Sequence, residues 1–525
     1  MTDAMQPVLT AAAQREADRR TIEDFGIPGA TLMESAGRGA AATVTKLMGP
    51  VRGKRIVVLC GKGNNGGDGF VIGRVLYEFG AKVCVVAVSS VDDMTPDAAL
   101  NWRLLEKLKN HDASGRLRLE RCARVQQSLP PADIYVDALL GTGLSSPLRE
   151  PLLGMVALLN AQPAPVVAVD APTGLHADHG IVLGSAVKAT LTVTMGALKA
   201  GLVINDGPDL AGRTEVIDIG IPGFITSDVG NRPGCAYRTT DAAVSAWLPR
   251  RGRLAHKYSA GAALVIGGAP GMSGAPVMAS LATARVGAGY VTCAAGQSVH
   301  GVLAEKMTEV VTVALPEAHD GSIDGANALA YLAPHLARSK ALLIGPGLGR
   351  LAGTQDFVHS LLRTTNLPAV VDADALYALS GTPDTIANYA RGRWILTPHA
   401  GEFQRLAGAA VDLTDRIGLA SSYARRWNCV LVLKGMPSII ATPEGAAYVN
   451  GTGGPALATA GTGDILAGLC AGLLAQGLSP VHAAVCAVHL GGAAADRYTE
   501  RRGQSTMMAT DLLMELPEVR KERFE

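Results

Sequence analysis

Short, β-branched apolar runs alternate with longer amphipathic stretches along most of the chain. The first series is RIVVLC (55–60), KVCVVAV (82–88), DIYVDAL (133–139), PVVAVD (165–170), TLTVTM (190–195) and TEVIDIG (214–220). A second series is ALVIGG (263–268), ALLIGPG (341–347), AVVDAD (369–374), WILTPH (394–399) and VLVLKG (430–435). Runs apolar on both faces predict strands of parallel sheets covered by helices, an α/β class. Upstream, LTAAAQREADRRTIEDFG and TLMESAGRGAAATVTKLM predict two helices separated by the turn GIPG. The Pro/Gly-rich segment PGFITSDVGNRPGCAYR (222–238) breaks the alternation. The expected organisation is therefore a first domain over 1–228, a linker over 229–238 and a second domain over 239–525.

At 525 residues the chain exceeds one typical core, which also favours two domains. The formal net charge is +1 with both signs interspersed, which excludes a basic nucleic-acid groove and a polybasic membrane anchor. The first twenty residues lack the apolar core of a signal peptide. The most apolar helix candidate, ILAGLCAGLLAQGL (465–478), is too short to span a bilayer and follows Asp464, so a buried helix is expected. Eight cysteines without a CxxC pair read as small hydrophobes of a reducing cytoplasm. The expectation is a cytoplasmic homo-oligomer acting on small molecules, with no nucleic-acid or membrane partner.

The stretch GKGNNGGDG (61–69), after a strand and before a helix, contains G-x-G-x-x-G through Gly61, Gly63 and Gly66. Glycines let backbone amides approach a phosphate, and the helix N-terminus adds partial positive charge. Asp68 conflicts with that purpose unless it merely complements the helix dipole. Asp137 and Asp170 end two further strands, so in a parallel sheet all three loops converge on one crevice. Clustered carboxylates beside a phosphate call for a cation or an uncommon protonation state. Oxygens of Asn and Asp side chains plus the Thr173 hydroxyl suit a hard ion.

The order NNGGDG, DALLGTG, VDAPTGL and TVTMGALKAGL, with LMESAG upstream, resembles the NAD(P)H-hydrate epimerases over residues 8–225. The resemblance implies a Rossmann-like three-layer α/β/α domain. It places Asn64, Asn65, Gly66, Gly67 and Asp68, with Gly141, Thr142 and Gly143, around the substrate and assigns Asn65, Asp137 and Thr173 to K⁺. It also assigns Asp170 to the hydrated nicotinamide; Lys199 is the candidate partner of Asp170 in proton transfer, the alternative being a surface lysine near a strand end. Three positions depart from the family's pattern: Lys62 replaces proline, Thr173 serine and Met195 phenylalanine. Threonine keeps the hydroxyl; the loss of a ring at 195 removes an aromatic wall.

In the second half GTGD (461–464) opens the apolar helix, so the amides of Gly461, Thr462 and Gly463 form a candidate anion hole with Asp464 as base. Lys434 at a strand end suits a nucleotide phosphate, or else snorkels at the sheet edge. His399 ends another strand. In order, HK-x-x-x-G, GGxxGMSGA, GPGLG, VVDADAL, TPHxGE, LKG and GTGD resemble the ADP/ATP-dependent NAD(P)H-hydrate dehydratases over about residues 240–515. That resemblance implies a ribokinase-like α/β fold. Ala275, Gly347 or Gly349, His399 and Asp464 would contact the hydrate; Lys434, Gly435, Met436, Pro437 and Ser438, with Gly463, would hold ADP or ATP, and Mg²⁺ would offset charge. HAGE for HPGE and the KGMPS loop are departures that remove no charged group.

The chain is thus expected to epimerise NADHX and NADPHX, the R/S hydrates, and to dehydrate the S form with ADP, by analogy, or ATP. Three other readings compete. A vitamin or sugar kinase with an appended dinucleotide module would release a phosphorylated product. A Rossmann dehydrogenase could use Asp92 or Asp93 on a ribose but leaves Asn64, Asn65 and Asp68 without purpose. A non-catalytic N-domain would be indifferent to Asp170→Asn.

Overall fold

The computed structural model describes residues 5–121, 128–408 and 410–525. The chain forms two compact units, Gln6–Ala236 and Tyr237–Glu525, the latter joined by Met5. The segment expected as a linker is structured: Pro222 precedes the helix Gly223–Gly230, and Ala236–Arg238 is a strand. A proline just ahead of a first helical turn is compatible with helix entry.

The first unit carries a seven-stranded parallel sheet in the order Leu117–Arg121, Lys82–Ala87, Arg55–Cys60, Ile134–Ala138, Val166–Val169, Leu191–Met195, Arg213–Ile217. Alternate residues bury on opposite faces. Ile56, Val58 and Cys60 join the core under the helices Gly29–Met48, Asn64–Glu78 and Pro96–Asn110; Val57 and Leu59 join that under Leu152–Asn160. Two-sided burial is why these strands read as unbroken apolar runs. Strand order reverses between Arg55–Cys60 and Ile134–Ala138, so the loops after Cys60 and Ala138 diverge and open a crevice at a topological switch point.

Glycines seat the first crevice helix. A Cβ on Gly66 would lie 1.9 Å from the Gly61 carbonyl oxygen, and one on Gly61 1.9 Å from that of Leu139. The helix start therefore touches both flanking loops at backbone distance, which any side chain forbids.

In the second unit, parallel strands run Val311–Leu315, Tyr290–Gly296, Ala262–Ile266, Ala341–Ile344, Ala369–Val371, Trp394–Leu396, Val430–Leu433. Two short antiparallel strands, Ile439–Ala441 and Ala447–Val449, extend it. Here order reverses between Ala262–Ile266 and Ala341–Ile344, placing GGAPGMSGAP and GPGLG on either side of a second switch point. The helix Thr462–Ala475 is buried along nearly its whole length, as its composition predicts. It packs on Gly274–Arg285 through Gly468 and Gly472, whose added Cβ atoms would meet the Ala279 carbonyl at 2.2 Å and Val286 Cγ1 at 2.3 Å. No described helix is long and apolar enough to cross a membrane. The described cysteines are buried and unpaired.

Candidate active sites

The first switch point opens a cavity of about 540 Å³ lined by Asn64, Asn65, Asp68, Gly141, Thr142 and Gly143 on the loop side, and by Asp170, Met195 and Lys199 opposite. Asp170 sits just past its strand with φ +65°, a left-handed conformation that aspartate tolerates better than most residues. Lys199 is fully buried, so the surface-lysine alternative does not describe it. Its Nζ lies 2.6 Å from Asp170 Oδ1 and also donates to the Met195 carbonyl (2.7 Å) and Thr194 Oγ1 (3.0 Å). The Thr194 hydroxyl donates to the same carboxylate oxygen at 3.1 Å.

The loops meet closely. A Cβ on Gly141 would fall 3.2 Å from both Asp170 Oδ2 and Asn65 Cγ. Both polar atoms of the Asn65 amide are buried without a hydrogen-bond partner. Asn64, by contrast, accepts from the Thr95 hydroxyl at 2.9 Å. Gly66 and Gly67 serve packing, the latter against Met33. Asp137 is wholly buried and accepts from Thr173 N (2.8 Å), Thr173 Oγ1 (2.7 Å) and Leu139 N (3.2 Å). Burial pushes its carboxyl up to about 6 against the pull of those donors. Thr173 Oγ1 in turn accepts from Leu140 N at 3.0 Å, which ties the ion-site candidates to the GTG loop.

Asp68 lies in the second turn of the helix Asn64–Glu78 rather than at its cap, which is Gly63. Burial, then Asp170 and Asp18, drive its carboxyl well above the usual range. A neutral carboxyl can donate to a phosphate instead of repelling it. The shift favours that neutral form and so eases the charge conflict read from the sequence. Asp18, itself raised by burial and held by Gln14 Nε2 at 2.9 Å, went unnoticed in the sequence because it lies on an ordinary amphipathic helix.

At the second switch point a Cβ on Gly347, which has φ +59°, would lie 3.2 Å from Ala275 Cβ; this brings the two expected substrate loops together. Gly349 N donates to Asp374 Oδ2 at 3.0 Å. His399 caps the helix Ala400–Ala407: its Nδ1 accepts from Gly401 N (3.0 Å) and Glu402 N (3.3 Å), while Glu402 Oε2 accepts from His399 N at 2.9 Å. Its Nε2 lies 3.5 Å from Glu402 Oε2, and the side chain is 60% exposed.

Lys434 does not snorkel. Its Nζ turns inward, 3.0 Å from Asp372 Oδ1 and 3.7 Å from Glu402 Oε2. Burial works to lower its pKa, but these carboxylates outweigh burial and the net direction is upward. A Cβ on Gly463 would stand 3.3 Å from this ammonium, so the lysine lies against the GTGD turn. Gly461 adopts φ +94° as the N-cap; the Thr462 amide donates to the Thr459 carbonyl at 3.4 Å, whereas those of Gly463 and Asp464 lie in the first turn, where a helix supplies no carbonyl partner. The Asp464 carboxyl is pushed up to about 7, by burial first and by Asp372 second, with Lys434 opposing. In the loop Lys434, Gly435, Met436, Pro437, Ser438, Arg416 Nη1 donates to the Met436 carbonyl at 3.0 Å. Asp372, Asp374 and Glu402 form an acid cluster whose members the sequence showed only as parts of longer motifs.

A family model described as NAD(P)H-hydrate dehydratase matches residues 263–518, and one described as YjeF-related protein N-terminus matches residues 29–201. A bifunctional NAD(P)H-hydrate repair enzyme Nnr of Salinibacter ruber is 51% identical over 524 residues, covering 99% of this chain and 97% of its own. Its counterpart from Moorella thermoacetica is 42% identical, covering 98% and 96%. A solved structure of the ADP/ATP-dependent NAD(P)H-hydrate dehydratase of Bacillus subtilis, co-crystallised with ATP and Mg²⁺, is 32% identical and covers 56% of this chain and 99% of that one, with a TM-score of 0.46. Matching end to end with repair enzymes that carry both activities, the chain belongs to the family of bifunctional NAD(P)H-hydrate repair enzymes.

Proposed function

We propose that the first unit interconverts the R and S hydrates of NADH and NADPH at Asp170 and Lys199, and that the second dehydrates the S hydrate at Asp464 with ADP or ATP as phosphoryl donor. The observation that carries the first half is the buried Lys199–Asp170 pair facing the cavity. Epimerisation requires C6 to lose and regain its substituent geometry, with a proton delivered and recovered. The Lys199 ammonium is ion-paired with Asp170 Oδ1, while Oδ2 lies beside Gly141, so that second oxygen can take a proton from the hydrate and return it. Gly141 leaves room beside Asp170 for the ring, and Asp68, whose carboxyl burial shifts toward its neutral form, lines the same cavity on the phosphate side.

Asn65, Asp137 and Thr173 fit K⁺: a buried amide without partner, a hydroxyl and one carboxylate give oxygen donors with little charge. K⁺ bound there would supply fixed positive charge beside the GTG loop.

For the second unit the carrying observation is Asp464, its carboxyl pushed up to about 7, in the first turn of a helix beside the Lys434 ammonium. Hydroxide leaves poorly, so phosphorylation of the C6 hydroxyl must precede elimination. Asp464 removes the hydroxyl proton, and the amides of Gly461, Thr462 and Gly463 hold the transferring phosphoryl group. Loss of phosphate from C6 and of a proton from C5 restores the conjugated dihydropyridine. Ala275, Gly347, Gly349 and His399 would orient the hydrate, and Lys434 to Ser438 the nucleotide. Asp372, Asp374, Glu402 and Asp464 exceed the local cations Lys434 and Arg350, an excess suited to Mg²⁺ arriving on nucleotide phosphates.

The test is incubation of mixed R and S hydrates with Mg²⁺, K⁺ and either ADP or ATP. Complete recovery of reduced-nicotinamide absorbance with release of inorganic phosphate is expected. Recovery halting at the S fraction would remove the epimerase assignment, and a stable phosphorylated product would favour a kinase.

A further inference from the structure

Away from the acid cluster, three polar side chains are stacked in line: Thr239, His489 and Asp241. His489 is 1% exposed. Its Nε2 lies 2.7 Å from Asp241 Oδ1 and its Nδ1 2.9 Å from Thr239 Oγ1. Thr239 is buried too, so the line is not a nucleophilic triad awaiting a substrate. Its other contacts say what it does. Thr239 Oγ1 accepts from Gly451 N at 3.0 Å and lies 3.3 Å from Asn450 Oδ1.

Gly451 belongs to a loop that touches the proposed phosphoryl-transfer site at both ends. Asn450 N donates to the Ser438 carbonyl at 3.0 Å, at the end of the nucleotide segment. At the other end the Thr462 hydroxyl of the anion hole donates to the Leu457 carbonyl at 3.0 Å. In between, the loop is held from behind by the helix Pro480–Arg502. Thr452 Oγ1 donates to the His489 carbonyl at 2.8 Å, and Gly453 N donates to Asp496 Oδ2 at 2.9 Å. Gly492 allows the approach, since a Cβ there would lie 2.4 Å from Thr452 Oγ1.

We infer that His489 is a positioning residue for the nucleotide: through the Thr239 hydroxyl it fixes the loop Asn450–Leu457 and thereby the spacing of Ser438 from Thr462. A proton count supports the direction of control. Nε2–H donates to the Asp241 carboxylate, so a neutral ring accepts the Thr239 hydroxyl proton at Nδ1. Thr239 then keeps its lone pairs for Gly451 N. Burial favours that neutral ring; Asp241 and Asp496 oppose it and Arg523 reinforces it. Protonation would turn the Thr239 hydroxyl toward Asn450 and release this arrangement.

The inference rests on the proposed dehydratase reading, and the experiment separates the two. Steady-state dehydration is measured on the full chain for His489→Ala, Thr239→Val and Thr239→Ser, with nucleotide and hydrate varied independently. The expected result is a nucleotide KM raised about tenfold in His489→Ala and Thr239→Val, the scale of one lost hydrogen bond to a polarised partner. The hydrate KM should stay within about twofold, because the hydrate loops lie at the switch point, and Thr239→Ser should restore the parent value. A purely structural role would lower kcat through the active fraction and leave both KM values alone; that outcome overturns the inference. Thr239→Val is nearly isosteric and decides the matter if His489→Ala does not fold. If the parent shows no nucleotide-dependent dehydration, the functional reading falls, while titration of ADP into parent and Thr239→Val still reads the positioning claim, equal affinity overturning it.

Discussion

Replacing Asp464 with asparagine separates catalysis from stability. The parent carboxyl is pushed up to about 7. The folded chain therefore holds a proton there that the unfolded chain, with an ordinary carboxyl near ~4, has released. Because the folded-state value is raised, this group's contribution to stability is complete below about pH 4 and is lost as pH rises to 7. At pH 8 the folded state carries a charge that costs about 4 kcal/mol at ~1.4 kcal/mol per tenfold, and partial solvent access trims this to about 2 kcal/mol. Asparagine keeps the volume and carries no charge. Asp464→Asn should thus stabilise the second unit by about 2 kcal/mol at pH 8 and by less than half that at pH 5. Its thermal midpoint at pH 8 should rise by about 4 °C. Dehydratase turnover should fall by about two to four orders of magnitude, the scale of a lost general base. Melting curves of both proteins without nucleotide at the two pH values, alongside turnover, provide the assay. A variant that melts below the parent at pH 8, or a pH-independent gap, would refute the claim that burial and Asp372 press on this carboxyl.

In the same assay, parent dehydration at subsaturating substrates should rise with pH through about 7 and level off, as ionised Asp464 accumulates. Lys199→Met should abolish epimerisation while leaving turnover of purified S hydrate unchanged, and should destabilise the first unit by about 3–5 kcal/mol through the stranded Asp170 charge; activity measured on each epimer and a urea titration check both. Thr173→Val removes a donor from buried Asp137, so epimerase activity should fall and its response to K⁺, tested against choline as counter-ion, should weaken. Gly461→Ala places a Cβ 2.6 Å from Met278 Cε at a left-handed backbone position, and dehydration should drop without change in epimerisation.

The strands that carry the two sites were legible because their runs are long, β-branched and end at polar turns. Tyr290–Gly296 and Val311–Leu315 were not: YVTCAAG is too rich in small residues, and VTVAL is only partly buried. The hairpin Ile439–Ala441 and Ala447–Val449 is too short for a period to show. Asn65, Gly141 and Asp464 stood out because glycine-rich turns flank them. Asp18, His489 and Thr239 sit where a helix or strand looks ordinary in sequence, and only packing brings them to a polar cluster. Lys434 was visible as a lysine after an apolar run, but its inward pairing with Asp372 depends on the sheet order, which places their two strands on either side of Trp394–Leu396.

Asp170 turns its backbone through φ +65° immediately after its strand. Side chains other than glycine, asparagine and aspartate incur strain of about 1–3 kcal/mol in such a conformation. An alanine scan at this residue would therefore mix a chemical deletion with a bent chain, moving Gly141 and Thr194 as well as removing the carboxyl. Asparagine is the substitution that silences the acid while leaving the corner of the sheet as it stands.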